Sequence, residues 1–166
     1  MIQVVEYNLL EHPATFIAHQ CNCVSTKSKG LSESIFNKWP IANTYSRRSD
    51  GFKDSLGGLE TCLVGNSKYV INMYAQFYPG KPKHPNDTYK VRETAFKKCL
   101  DKIPNQVNSL LNFGTEVKNP DIAFPFGIGC GLAGGYWNTY YSMLEDFEEV
   151  YSNKVGGKVF ICKMSK

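Results

Sequence analysis

The sequence predicts an α/β fold, a single domain over residues 1–166 built on a mostly parallel sheet of about six strands with helices on both faces. Two observations predict it. Six short apolar, β-branched or aromatic runs bounded by turn residues recur along the chain, and longer helical patterns separate most of them. Two polar, glycine-bearing loops each follow a strand and precede a helix, the position where open α/β sheets collect ligands.

The strand runs are Ile2–Glu6, Thr15–His19, Thr61–Val64, Tyr69–Met73, Ile122–Phe124 and Lys158–Cys162. Helices are expected over Leu31–Trp39, around Ile41–Arg48, over Asp87–Ile103 and over Trp137–Ser152. Asp87 is a candidate N-cap, and Pro104, which lacks an amide hydrogen, should stop the third helix. Tyr89, Phe96, Cys99, Leu100 and Ile103 follow helical spacing, which puts one face of that helix on the sheet.

Composition narrows the function classes. The chain has 166 residues, 42% of them apolar, enough to bury a real core. The N-terminus MIQVVEYNLL lacks the pattern of a signal peptide and no run of about eighteen apolar residues occurs, so a soluble, cytoplasmic protein without membrane partners is expected. Six cysteines contain no C-x-x-C pair and read as small core residues, and three scattered histidines supply no paired zinc ligands. Neither metal nor cofactor is expected. A net charge of +4 and a pI of 8.7 favour an anionic ligand, without the dense basic stripe of a sequence-specific nucleic-acid binder.

The chemistry lies in the two loops. In Ile17–Ile35 an apolar strand breaks into His19, Asn22, Ser25, Thr26, Lys27 and Ser28 before Gly30 opens a helix. In Phe124–Trp137, the glycines 127, 129, 131, 134 and 135 remove side chains, so that backbone N–H groups can turn towards an anion at a helix N-terminus. That is a phosphate-binding design, though neither a P-loop nor a dinucleotide fingerprint. His19 has the chemistry of an acid, base or nucleophile, and equally of a hydrogen-bonded core histidine. Asn22 reads either as a ligand-binding amide or as the residue that closes a strand end.

The spacing of His19, Asn22, Gly30 and Ile35 resembles the H-x-x-N-x(7)-G-x(4)-I signature of the macro domain family. Residues 125–137, with GIGCGLAGG at their centre, resemble that family's second ligand loop, and Tyr69–Gln76 resembles the strand between. The resemblance implies a three-layer α/β/α macro domain that binds ADP-ribose, in the branch of ADP-ribose 1″-phosphate phosphatases and de-ADP-ribosylating glycohydrolases. Carried over by position, it implies Asn8 and Leu9 at the adenine and Asn22 at the distal ribose. Gly30, Leu31 and Gln76 would stand on one side of the ligand. Phe126, Ile128, Gly129, Cys130, Gly131, Leu132 and Ala133 would stand on the other, with Phe126 lining the distal pocket and Tyr136 and Trp137 packing the helix start. His19 and Asn22 would be the catalytic pair of a phosphatase acting on ADP-ribose 1″-phosphate. The alternatives are a non-catalytic reader of ADP-ribose derivatives or ADP-ribosylated macromolecules, and a glycohydrolase using substrate-assisted water attack. Glycohydrolases that attack through a Lys and an Asp place the Asp directly after G-C-G-L, where this chain has Ala133, and no lysine stands near Ala75 and Gln76.

Overall fold

The structure is a computed structural model describing residues 1–48, 51–113 and 119–164. Six strands, β1 (Gln3–Glu6), β2 (Phe16–Asn22), β3 (Leu59–Gly65), β4 (Lys68–Gln76), β5 (Ile122–Pro125) and β6 (Val159–Lys163), form one sheet in the order β1-β6-β5-β2-β4-β3. Every pairing is parallel except β3 with β4. The hairpin explains the exception, since only Asn66 and Ser67 separate those strands, too few for a crossover. Three helices complete the fold: α1 (Gly30–Lys38), α2 (Tyr89–Asn112) and α3 (Trp137–Lys154).

The central strands β2 and β4 are buried along almost their whole length, as parallel strands covered on both faces must be. Alternation divides their side chains between two cores. Phe16, Ala18, Ile71 and Met73 pack with Phe96, Leu100 and Ile103 of α2 and Leu144, Phe147 and Tyr151 of α3. Ile17, Cys21, Val70 and Tyr74 pack on the other side with Ile35 and Phe36 of α1 and with Ala42 and Tyr45. All six cysteines are free thiols, and four of them are buried.

Three local expectations are corrected. The segment around residues 41–48 is two single 3₁₀ turns, Pro40–Ala42 and Tyr45–Arg47, because the Asn43 side chain accepts the Ser46 N–H at 3.1 Å and restarts the chain between them. Thr88, not Asp87, caps α2, accepting the Val91 N–H at 3.1 Å. Pro104 lies inside α2, which runs on to Asn112. An interior proline costs about 3 kcal/mol, and the full burial of Val107, about 1.5–3 kcal/mol, together with the partial burial of Leu110 and Leu111 against the core offsets it.

Asp87 has a different task. Its carboxylate accepts from Arg92 Nε at 2.8 Å and Nη2 at 2.6 Å, with both side chains buried. Arg92 also donates to the carbonyls of Gly80 and Tyr78, tying α2 to the chain that leaves β4. Removing one partner leaves a buried, uncompensated charge, so Asp87→Asn is expected to destabilise the fold by about 3–5 kcal/mol in urea unfolding. A loss below about 1 kcal/mol would show that water reaches the guanidinium.

Candidate functional site

A cavity of about 920 Å³ opens at the C-terminal ends of β2, β4 and β5, where Asn22, Gln76 and Pro125 reach its wall. The first loop and the start of α1 form one side. Arg48, almost fully buried, shapes this loop by donating to the carbonyls of Asn22 at 2.6 Å and Ser25 at 2.8 Å. Asp54 neutralises it at 2.8 Å, and its guanidinium lies 4.5 Å from the Tyr45 ring centre. Lys27 and Lys29 line the same side, the two cations of the wall among the described residues.

Asn22 closes the strand and faces the cavity at once. Its Oδ1 accepts the N–H groups of Val24 at 3.1 Å and Ser25 at 2.7 Å, an Asx-type turn. Among the described residues its Nδ2 has no partner, so towards a ligand Asn22 is a donor rather than the two-sided amide its type suggests.

The glycine loop forms the opposite side. Gly127 and Gly129 have φ of +77° and +78°, and a Cβ on Gly129 would lie 2.5 Å from the Tyr140 ring. Only glycine fits there. The N–H groups of Ile128, Cys130, Gly134 and Gly135 are taken up by Pro125, Gly127, Gly131 and Gly129 carbonyls. Those of Gly127, Gly129, Gly131, Leu132 and Ala133 have no protein partner among the described residues, although each of these residues lines the cavity. Unpaired amides on a cavity wall near a helix N-terminus are suited to an anion.

His19 lies at the base of the cavity, 1% exposed, with its ring edge-on to Phe36 at 5.4 Å. Its Nε2 is 2.6 Å from Asn72 Oδ1 and its Nδ1 3.3 Å from Ser32 Oγ. Burial pushes its pKa down to about 4, against a smaller upward effect of the Asn72 hydrogen bond, so the imidazole is neutral at pH 7.

Most of the residues expected at the site converge on it. His19, Asn22, Gly30, Leu31 and Gln76 line the cavity, as do Phe126, Ile128, Gly129, Gly131, Leu132 and Ala133. Three do not. Asn8 caps a short turn by accepting the Leu10 N–H at 3.1 Å, Leu9 is buried beneath it, and Cys130 turns its thiol to the Ile128 carbonyl. Trp137 packs against the core, whereas Tyr136 is exposed. Sequence reasoning missed Ser32, Tyr45 and Gln20 on the wall and Asn72 behind it. The one sequence feature that could have found Asn72 is its place as a lone asparagine inside the apolar run YVINMYA; the structure buries it fully and pairs it. No cluster of three His, Cys, Asp or Glu able to hold a metal ion occurs among the described residues, and no helix among them is long and apolar enough to cross a membrane.

No protein-family model matches the chain. It is 27% identical over 145 residues to an uncharacterised 17.5 kDa protein from the tk-vs intergenic region of enterobacteria phage T4, covering 84% of this chain and 81% of that one. Among solved structures it resembles the DarG macrodomain of Mycobacterium tuberculosis, with a TM-score of 0.76 at 16% identity over 100% of this chain and 99% of that one. An Oceanobacillus iheyensis macrodomain variant, solved with ADPR, gives a TM-score of 0.65 at 15% identity over 98% of this chain and 84% of that one. The chain has the macrodomain fold.

The low pKa of His19 makes a stability prediction. The unfolded chain binds a proton at about pH 6.5 and the folded chain only near pH 4, so stability is full above pH 6.5 and is lost as pH falls from there to about 4. The loss is expected to be on the order of 3 kcal/mol. Urea midpoints measured from pH 7 to 4 should therefore fall steeply in the wild type and less in His19→Gln; parallel curves would contradict a buried neutral imidazole.

Proposed function

We propose that the cavity binds ADP-ribose and that the protein hydrolyses ADP-ribose 1″-phosphate to ADP-ribose and phosphate. The observation that carries the reading is the set of five unpaired amides, Gly127, Gly129, Gly131, Leu132 and Ala133, on the cavity wall. In this reading they and the Gly30–Leu31 turn hold the diphosphate. Asn22 Nδ2 donates to the distal ribose, and Phe126 lines the space around it. The solved macrodomain with ADPR supports the ligand by likeness of fold.

For the reaction, His19 is the titratable group at the distal end of this path. A neutral imidazole with a bare nitrogen accepts a proton, and backbone donors neutralise charge that develops on a transferring phosphoryl group. The near-complete burial of His19 favours a second reading, in which the imidazole only supports the wall and the protein is a reader of ADP-ribose or of ADP-ribosylated macromolecules.

Calorimetry with ADP-ribose and phosphate release from ADP-ribose 1″-phosphate separate the two. Saturable binding with chelator-insensitive phosphate release is expected. Binding without turnover would select the reader, and no binding at millimolar ADP-ribose would contradict both.

A further inference from the structure

Glu60 and Asn72 are register partners between β3 and β4, and Asn72 and His19 are partners between β4 and β2. Three polar side chains thus form one row across three strands of the sheet, and its inner end meets the cavity at Ser32, the third residue of α1. The hydrogen bonds fix the direction of donation along the row. Asn72 Nδ2 donates both hydrogens, to the Ala42 carbonyl at 2.9 Å and to Glu60 Oε1 at 3.1 Å. Its Oδ1 therefore accepts from His19, which places the imidazole hydrogen on Nε2 and leaves a lone pair on Nδ1. The Ser32 hydroxyl, half-buried and 3.3 Å away, donates to that lone pair.

We propose that Ser32 is a nucleophile of this cavity, with His19 as its general base and Asn72 as the residue that positions the imidazole. Its substrate class, a phosphate monoester, rests on the phosphatase reading above. A hydroxyl backed by a base that is itself oriented by a third group is the arrangement that activates serine. The burial that keeps the imidazole unprotonated leaves Nδ1 ready at neutral pH.

In the first step Ser32 Oγ bonds to phosphorus as its proton moves to His19 Nδ1. The bond from phosphorus to the sugar oxygen breaks, its electron pair stays on that oxygen, and the oxygen takes a proton from water, leaving hydroxide. In the second step water bonds to phosphorus and the Oγ–P bond breaks. His19 returns its proton to Oγ, and the hydroxide takes the proton lost by the attacking water. The sum converts one phosphate monoester and one water into an alcohol and inorganic phosphate.

Diisopropyl fluorophosphate probes the hydroxyl without any ADP-ribose chemistry, because Ser32 Oγ would displace fluoride from phosphorus and release HF. Mass spectrometry should find one diisopropylphosphoryl group per chain, on Ser32, and none in Ser32→Ala. Ser32→Ala should also lose at least about 100-fold in kcat on ADP-ribose 1″-phosphate while its Kd for ADP-ribose stays within about threefold. Asn72→Asp tests the positioning. The ionisable group touching the imidazole is the Cys21 thiol on β2; the Tyr45 hydroxyl and the Arg48 guanidinium lie beyond that thiol and the Glu60 carboxylate beyond Asn72, and a new carboxylate on Nε2–H should move the acid limb of kcat to higher pH. An unlabelled Ser32, or an active Ser32→Ala in a protein whose wild type turns over, would overturn the nucleophile and leave the phosphatase reading intact. A labelled Ser32 with no release from ADP-ribose 1″-phosphate would overturn that substrate and keep the hydroxyl. An unmoved acid limb in Asn72→Asp would overturn the role of Asn72.

Discussion

The hydrogen bond between His19 and Asn72 is the constraint on which the rest of this end of the molecule depends. Two polar side chains sit at the centre of a sheet whose neighbouring positions are Ile17, Val70, Ile71 and Met73, where an unpaired donor or acceptor costs about 1–3 kcal/mol. Their pairing holds only in the register in which His19 stands opposite Asn72 and Asn72 opposite Glu60. A slip of one residue in β2 would turn His19 into the opposite core and Ala18 towards α1. The same bond therefore fixes the register of the central strands, the tautomer of the imidazole and the side of the ring that meets Ser32.

Around that fixed centre, the two loops solve opposite electrostatic problems. The first must hold carbonyls that leave the strand without a ladder partner, and it uses a buried cation, Arg48, whose guanidinium gathers the Asn22 and Ser25 carbonyls while Asp54 balances its charge. The second leaves amides unsatisfied: Gly127 and Gly129 take positive φ, and among the described residues their N–H groups, with those of Gly131, Leu132 and Ala133, meet no internal carbonyl. Tyr140, pressed against Gly129 and Gly135, sets the height of this loop above the sheet. The outcome is a wall of donors facing a side that carries Lys27 and Lys29, a field suited to an anion between them.

The fold was largely legible in the sequence because it rests on local signals that agree with one another. Each strand run is present within a few residues of its expected limits, and the burial of β2 and β4 follows from their near-continuous apolar character. The errors fall where a long-range contact outweighed a local rule. Pro104 should end a helix, yet the apolar residues beyond it carry α2 to Asn112. Asp87 has the chemistry of a cap, but a buried arginine five residues on claims it. The cavity wall was visible through its glycines and its polar strand end, whereas Ser32 and Asn72 were not, since a serine in a helix and an asparagine in a strand acquire meaning only when β2, β4 and α1 are brought together.

Long-range ¹⁵N nuclear magnetic resonance of the histidine rings measures the central claim directly, because it distinguishes the two neutral tautomers from the imidazolium. At pH 7, His19 is predicted to be neutral, with its hydrogen on Nε2 and Nδ1 bare, and to stay so until the pH approaches about 4. A hydrogen on Nδ1, or a charged ring at pH 7, would contradict the account.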